Sequence, residues 1–403
     1  MDMKKKLEET YLPEKESQGR KLVIGLSGGI NSIVSAYLLK IQKYEVIAVS
    51  IAIGLDEFKQ DPSDFLSCHL DKTKLEMIKN FCHQLGIPHY VVKASDEFKE
   101  EVVNSWIGAN IVATKANPCW NCHDLRMKLL HQKMIELDAH ALATGHLAKI
   151  FHSDVHKTAY VHSSNDEVHD QSALLSRLPH DILSSLMLPL SDLTQKEILK
   201  LAENFGLEIV NKKLEIHKCF DIKYSENGYL ATQVPKKYNS PGEIIGHEKK
   251  TIGNHLGIIH YRYGEVFPVP SARQNETYYI NKYIISEKKV ELAKTDFFRR
   301  KKFFLNFCII SEETPWTEPL KGVLKLNETE FIDCWVYPKN NASAVLELDT
   351  PENIFEGEIV TIFKKKGKNA KVFLSGKVKY FEEPVYLNEE GKERVKTDYS
   401  RDF

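Results

Sequence analysis

The stretch Lys21-Leu22-Val23-Ile24-Gly25-Leu26-Ser27-Gly28-Gly29-Ile30-Asn31-Ser32-Ile33-Val34 decides the fold. An apolar run ends in a serine and two glycines, and Ile33, Val34, Tyr37, Leu38 and Leu39 then recur at helical spacing, so the segment predicts a buried strand, a tight turn and a helix. Where a strand hands over to a helix, backbone N–H groups and the positive helix end converge on an anion, and glycines let the backbone approach it. Gly25, Leu26, Ser27, Gly28, Gly29, Ile30, Asn31 and Ser32 are the candidate nucleotide cradle. The G-K-[ST] ending of a Walker loop is absent, and the spacing is not G-x-G-x-x-G.

Outward from this turn the pattern repeats. Val46-Ile47-Ala48-Val49-Ser50-Ile51 reads as a buried strand; Leu75, Ile78, Phe81, Cys82 and Leu85 mark a helix that stops at Gly86, and His89-Tyr90-Val91-Val92 forms the next strand. Two further units follow, one ending in Ala143-Thr144-Gly145-His146 and one with a helix before Gly206. Such alternation predicts an α/β, Rossmann-like parallel sheet with helices on both faces. This nucleotide domain is expected to span 1–213. Residues 214–287 are richer in Gly, Pro and Tyr and predict a small connecting domain. Residues 288–403 carry short alternating segments such as Val345-Leu346-Glu347-Leu348, which predict a C-terminal antiparallel β-barrel.

Composition limits the function classes. With 403 residues, 42% of them hydrophobic, and 55 basic against 56 acidic side chains, the chain can bury a sizeable core but has no global attraction to nucleic acid. RNA binding would have to come from local patches such as Arg299-Arg300-Lys301-Lys302 or Lys364-Lys365-Lys366 with Lys368. Polar residues at the start and the lack of a long apolar run predict a cytoplasmic protein without a membrane segment. Seven cysteines, an odd count, suit catalysis or metal binding better than a structural disulfide framework.

Cys119 and Cys122 form a C-x-x-C after Asn117-Pro118, in a turn expected to lead into a helix near Asp124. A helix N-terminus favours thiolate, and so do the charges of Lys212, Lys213, His217 and Lys218 ahead of Cys219. Three chemistries fit these thiols. Cys219 carries a persulfide that Cys122 attacks or resolves through a disulfide; or Cys119, Cys122 and Cys219 hold an iron-sulfur cluster with one iron open to sulfide; or zinc binds with His123 or His217 as fourth ligand. Cys68, Cys82, Cys308 and Cys334 fall at apolar or isolated positions that suit buried, inert thiols.

The Ser27-Gly28-Gly29-Ile30-Asn31-Ser32 loop resembles the S-G-G-x-x-S loop of the PP-loop ATP pyrophosphatases, which split ATP between its α and β phosphates and pass AMP to a substrate oxygen. Across nearly the whole chain, Leu85 to Val92, Asn117-Pro118 with Cys122, Ala143 to His146, Asp170-Gln171-Ser172, Lys212-Lys213 with Cys219-Phe220, and Pro241 to Ile244 resemble, in order, the tRNA-specific 2-thiouridylases. The resemblance implies ATP and Mg2+ as cofactors, a tRNA substrate, a sulfur-donor protein, and adenylation of a uridine oxygen that sulfur then replaces. It implies that Gly25 to Ser32, Ile51 and Gly145 surround ATP and that Asn117, Pro118 and Cys119 lie beside the base. Cys122 then matches the nucleophile, Cys219 the persulfide carrier, and His169, Asp170 and Gln171 a tRNA-contacting triplet. Cys119 stands where aspartate is common in the family, as in the subgroup thought to hold a [4Fe-4S] cluster. Asn31 also replaces a usual aspartate, His169 a usual lysine, and Asn327-Glu328 an Arg-Tyr pair. The last two changes remove positive charge where phosphates would lie and should reduce affinity and its salt dependence, whereas the first removes a carboxylate that could hold magnesium. Two alternatives stand beside this one: a PP-loop sulfurtransferase for another RNA position or a small heterocycle, and a non-enzymatic homologue that only binds tRNA or nucleotide.

Overall fold

A computed structural model describes residues 19–53, 70, 72–153, 158–207, 234–246, 248–269, 276–311, 316–327, 330–340 and 342–380. Strands β1 (Lys21–Gly25), β2 (Glu45–Ala52), β3 (His89–Lys93), β4 (Ala141–Ala143) and β7 (Leu186–Met187) form a parallel sheet in the order β3-β2-β1-β4-β7. The expected α/β sheet is present. Its faces follow from alternation along β1. Leu22 and Ile24 turn to one side and pack with Ile33 and Leu39 of helix α1 (Ile30–Ile41) and Ile78 of α2 (Lys72–Gln84). Val23 turns to the other side and meets Leu125 and Leu130 of α3 (Pro118–Glu136). These side chains are almost fully buried, and each contributes about 1.5–3 kcal/mol. The far face of α1, Val34 and Leu38, packs against Ile198 and Leu201 of α4 (Gln195–Asn204), so α1 lies between sheet and helix.

The sheet order fixes where a ligand can sit. From β1 the chain moves outward to β2 and β3, then returns to the opposite side of β1 as β4. Between the carboxyl ends of β1 and β4 the connections diverge, which opens the crevice where open α/β sheets bind ligands.

A second sheet, β10 (Val266–Phe267), β11 (Tyr278–Ile284), β12 (Lys289–Lys294), β8 (Gly242–Ile245) and β9 (Thr251–His255), is mixed, because β12 pairs β8 in parallel. Strand β12 was expected in the barrel; its hydrogen bonds to β8 and β11 place it here instead. Strands β13 (Arg299–Ile310), β14 (Leu320–Lys325), β15 (Phe331–Asn340), β16 (Ser343–Asn353), β17 (Ile359–Phe363) and β18 (Val372–Lys379) close a barrel in the order β13-β16-β15-β14-β17-β18. Its core contains Phe303, Leu305, Leu324, Leu346 and Phe373, while Phe298 packs edge-on to Tyr263 and Tyr279. Phe298, Phe303 and Phe373 are fully buried.

The barrel docks on the nucleotide domain through the turn between β17 (Ile359–Phe363) and β18 (Val372–Lys379). Ser163 donates its backbone N–H to the Ala370 carbonyl at 2.9 Å and its hydroxyl to that of Gly367 at 2.8 Å. Lys325 of β14 (Leu320–Lys325) reaches Asp170 at 3.0 Å. Among the described residues no helix is long and apolar enough to cross a membrane.

Candidate active site at the phosphate loop and the thiol helix

The loop after β1 is built from its own serines. The Gly29 N–H donates to Ser27 Oγ at 3.3 Å, Ser32 Oγ donates to the Gly29 carbonyl at 2.8 Å, and Ser50 Oγ holds the Leu26 carbonyl at 2.8 Å. Gly28 turns with φ +80°, a left-handed conformation that side chains resist. Gly29 is the N-cap of α1 and has no side chain with which to cap it, which leaves the Ile30 and Asn31 N–H groups without a side-chain cap, while the Ser32 N–H turns back to the Gly29 carbonyl at 3.1 Å. Ile51 lies near the carboxyl end of β2 and is 5% exposed.

Gly145 follows β4 and approaches α1 closely. A Cβ there would lie 2.7 Å from the Asn31 carbonyl carbon and 2.8 Å from the Ser32 nitrogen, so only glycine lets these two segments meet. Asn31 turns its side chain away from the loop. Its Nδ2 donates to Gln195 Oε1 at 3.1 Å, and Gln195 Nε2 donates to Asn31 Oδ1 at 3.0 Å.

Helix α3 begins at Pro118, not near Asp124 as the sequence suggested. Asn117 is the N-cap, its side-chain oxygen accepting the Cys119 N–H at 3.0 Å, with proline in the first turn. Both thiols of the C-x-x-C are therefore on the helix. The cysteines carry no apolar period to mark the start of the helix, but Asn-Pro is itself a start signal. Cys119 and Cys122 are half-buried and form no disulfide with each other, and Arg126, one turn on, donates from Nε to Cys122 Sγ at 3.4 Å. Burial pushes Cys82 up to about 11 and Cys308 and Cys334 up to about 12, as inert core thiols. Cys219, the charged residues before it, its expected disulfide with Cys122, and Cys68 lie outside the described residues.

Because α3 leads into β4, which runs parallel to β1, the helix runs against the strands and its N-terminus stands at their carboxyl edge. Leu130 marks the level. Its Cδ1 would lie 2.8 Å from a Cβ on Gly25, at the end of β1. Cys122 is two helical turns earlier, about 12 Å further out along the axis on the side of the phosphate loop. The rings of His123 and His146 meet edge to face at 5.1 Å between centroids and join the thiol helix to the segment after β4. Burial, and after it the nearby His123, holds His146 down to about 3, so its imidazole is neutral at physiological pH and brings no cation to a phosphate. Its Nδ1 is 2.8 Å from Thr144 Oγ1.

The expected tRNA triplet is bound internally. Asp170 accepts from Ser164 N at 2.9 Å, Ser172 Oγ at 2.8 Å and Lys325, with only 2% of its side chain exposed; Gln171 Oε1 accepts the Leu147 N–H at 3.0 Å. His169 Nδ1 lies 3.1 Å from Asp166. Asp170 and Gln171 thus tie the crevice to the barrel, a role that sequence positions far from Lys325 could not reveal.

Residues 20–223 match the family model described as the tRNA methyl transferase HUP domain. A tRNA-specific 2-thiouridylase MnmA 1 of Clostridium tetani is 32% identical over 76% of this chain and 82% of its own length. The chain belongs to the tRNA-specific 2-thiouridylase family. Another 2-thiouridylase, MnmA of Clostridium acetobutylicum, aligns with 85% of this chain and 96% of its own length at 27% identity, and MnmA 1 of Caldanaerobacter subterraneus subsp. tengcongensis is 33% identical over 61% and 67%. Set in this 2-thiouridylase family, the crevice between β1 and β4 contains both the phosphate loop and the thiol helix.

Proposed function

We propose that this chain is an ATP-dependent tRNA 2-thiouridylase, a sulfurtransferase that adenylates the 2-oxygen of a wobble uridine and replaces it with sulfur. The observation that carries this reading is the placement of Cys122 and the glycine-lined loop at the same carboxyl edge, linked by the His123–His146 contact. The loop N–H groups and the α1 terminus take the phosphates and favour charge building on the leaving pyrophosphate. A uridine oxygen is a poor leaving group; as a phosphate ester of AMP it departs readily when sulfur attacks C2. Arg126 holds the sulfur of Cys122 in place to free the transferred sulfur from its carrier. Cys119 and Asn117 flank it at the opening of the helix, where the base would enter.

Sulfur comes from a persulfide on Cys219, itself charged by a donor protein: the half-buried Cys122 sulfur attacks the inner sulfur, forming the Cys122–Cys219 disulfide and releasing hydrosulfide, which attacks C2 and expels AMP, and an external thiol then reduces the disulfide. The described residues supply two of the three thiolates a [4Fe-4S] cluster needs, and no group of three metal-binding side chains occurs among them. Asn31, neutral and paired with Gln195, offers no carboxylate for magnesium, so the phosphates themselves carry the ion.

For tRNA, the lysine turn between β17 and β18 supports phosphate contacts. Lys365, Lys366 and Lys368 are exposed there, and the turn is held against the nucleotide domain by Ser163. By contrast Arg300 stacks over Tyr380 at 4.2 Å and Lys302 pairs with Glu347 at 3.3 Å, so the other basic cluster is partly occupied within the barrel. Nucleoside mass spectrometry of tRNA from cells with and without the gene tests the function. Loss of 2-thiouridine with the gene supports it; an unchanged 2-thiouridine content, with a change in another thionucleoside or none, refutes it.

A further inference from the structure

We propose that Gln195 is a positioning residue for the phosphate loop, and that its reciprocal amide pair with Asn31 makes asparagine, not aspartate, the residue this chain requires at position 31. The proposal rests on the nucleotide reading of the loop given above. Asn31 is the second residue of α1, so its backbone N–H is one of the first-turn donors at the crevice. Where its Cα sits decides where those donors aim. Gln195 is 3% exposed and both atoms of its amide are matched by Asn31 at 3.0 and 3.1 Å.

Gln195 is in turn held from behind. It opens α4, whose N-cap Thr194 forms a capping box with Glu197, Thr194 N–H donating to Glu197 Oε2 at 2.8 Å. The Gln195 backbone N–H donates to Asp166 Oδ2 at 2.8 Å, and Asp166 Oδ1 accepts the His169 N–H at 3.1 Å. On its other side the Asn31 backbone is pressed by Gly145. The first turn of α1 is thus clamped between a strand end and a capped helix. A carboxylate at position 31 would still accept from Gln195 Nε2, but its second contact would set oxygen against Gln195 Oε1 with no proton between them. In a site this buried an unmatched polar contact is expensive. Residues 31 and 195 are therefore read as a coupled pair that sets phosphate affinity.

The test uses the full chain and a non-hydrolysable ATP analogue in equilibrium dialysis, together with KM for ATP, KM for tRNA and the urea midpoint. Gln195→Met should raise the analogue Kd and the ATP KM about tenfold while leaving the tRNA KM unchanged. Isosteric Asn31→Asp should also weaken the analogue, and it serves in place of Gln195→Met if that variant does not fold. With the single variant Asn31→Leu measured beside Gln195→Met, the double variant Asn31→Leu with Gln195→Met should lose less than the product of these two single losses. Wild-type analogue affinity in Gln195→Met, tighter binding in Asn31→Asp, or strictly multiplicative losses would overturn the pairing. Analogue binding needs no tRNA, so a wild type that binds the analogue but thiolates no tRNA fails the functional reading and leaves this test intact.

Discussion

Adding a single methyl group at Gly145 should disable the site more than adding one at Gly28 or Gly29. A Cβ at Gly145 would meet the carbon, nitrogen and oxygen of the Asn31–Ser32 backbone at 2.7, 2.8 and 2.9 Å, and backbone atoms cannot swing aside as a side chain does. The strand end must separate from α1, at about 1–3 kcal/mol for overpacking. Gly28→Ala meets its nearest neighbours at 3.5 Å and is opposed only by its φ of +80°, about 1–2 kcal/mol. Gly29, at φ −76° and 3.4 Å from Ser27 Oγ, accepts alanine with little loss of folding stability. The urea midpoints should therefore rank Gly29→Ala highest, then Gly28→Ala, then Gly145→Ala, although Gly28 and Gly29 belong to the loop itself and Gly145 comes from the distant segment after β4. Because the displaced turn carries the phosphate donors, Gly145→Ala should also weaken an ATP analogue at least tenfold. Wild-type stability and affinity in Gly145→Ala, or Gly29→Ala as the least stable of the three, would refute the close approach of β4 to α1.

Arg126→Met removes the N–H from Cys122 Sγ and should slow single-turnover sulfur transfer about tenfold with ATP-analogue affinity unchanged; equal rates would remove Arg126 from the site. Lys325→Met strands the buried Asp170 carboxylate, but the serine donors remain, so the loss should be about 2–3 kcal/mol, below the full cost of breaking a buried pair; an unchanged urea midpoint would contradict the clamp. Burial raises the Asp166 pKa, yet hydrogen bonds from Gln195 and His169 outweigh it and hold it below the ordinary carboxylate value. A carboxyl lowered on folding stabilises the protein above its unfolded pKa, and that stability is lost as pH falls through the folded value. Wild type should accordingly lose its advantage over Asp166→Asn as pH is lowered through and below the ordinary carboxylate range; parallel profiles between pH 7 and pH 3 would exclude the effect.

The sheet was legible because β1, β2 and α1 are locally consistent: continuous apolar strands, a glycine turn and a 3.6-residue period all agree. The loop and the C-x-x-C were legible as motifs, since phosphate and thiol chemistry demand particular residues at short spacing. What escaped was contact between distant positions. Gln195 lies 164 residues from Asn31 and reads as an ordinary helix opener, and Lys325 lies 155 residues from Asp170. Arg126 was within reach, because a residue four after Cys122 shares its helix face once the helix is started at Pro118. Strand β12 was assigned to the barrel because alternation names a strand but not its partner.

The central claim is that the phosphate loop and Cys122 act on one uridine, and the fate of a single oxygen atom tests it. With purified protein, ATP, a sulfur donor and tRNA carrying 18O at C2 of the target uridine, wild type should release AMP containing the label in step with 2-thiouridine, and Cys122→Ser should release none. Label in water instead of AMP, or labelled AMP and 2-thiouridine formed equally by Cys122→Ser, would contradict the account.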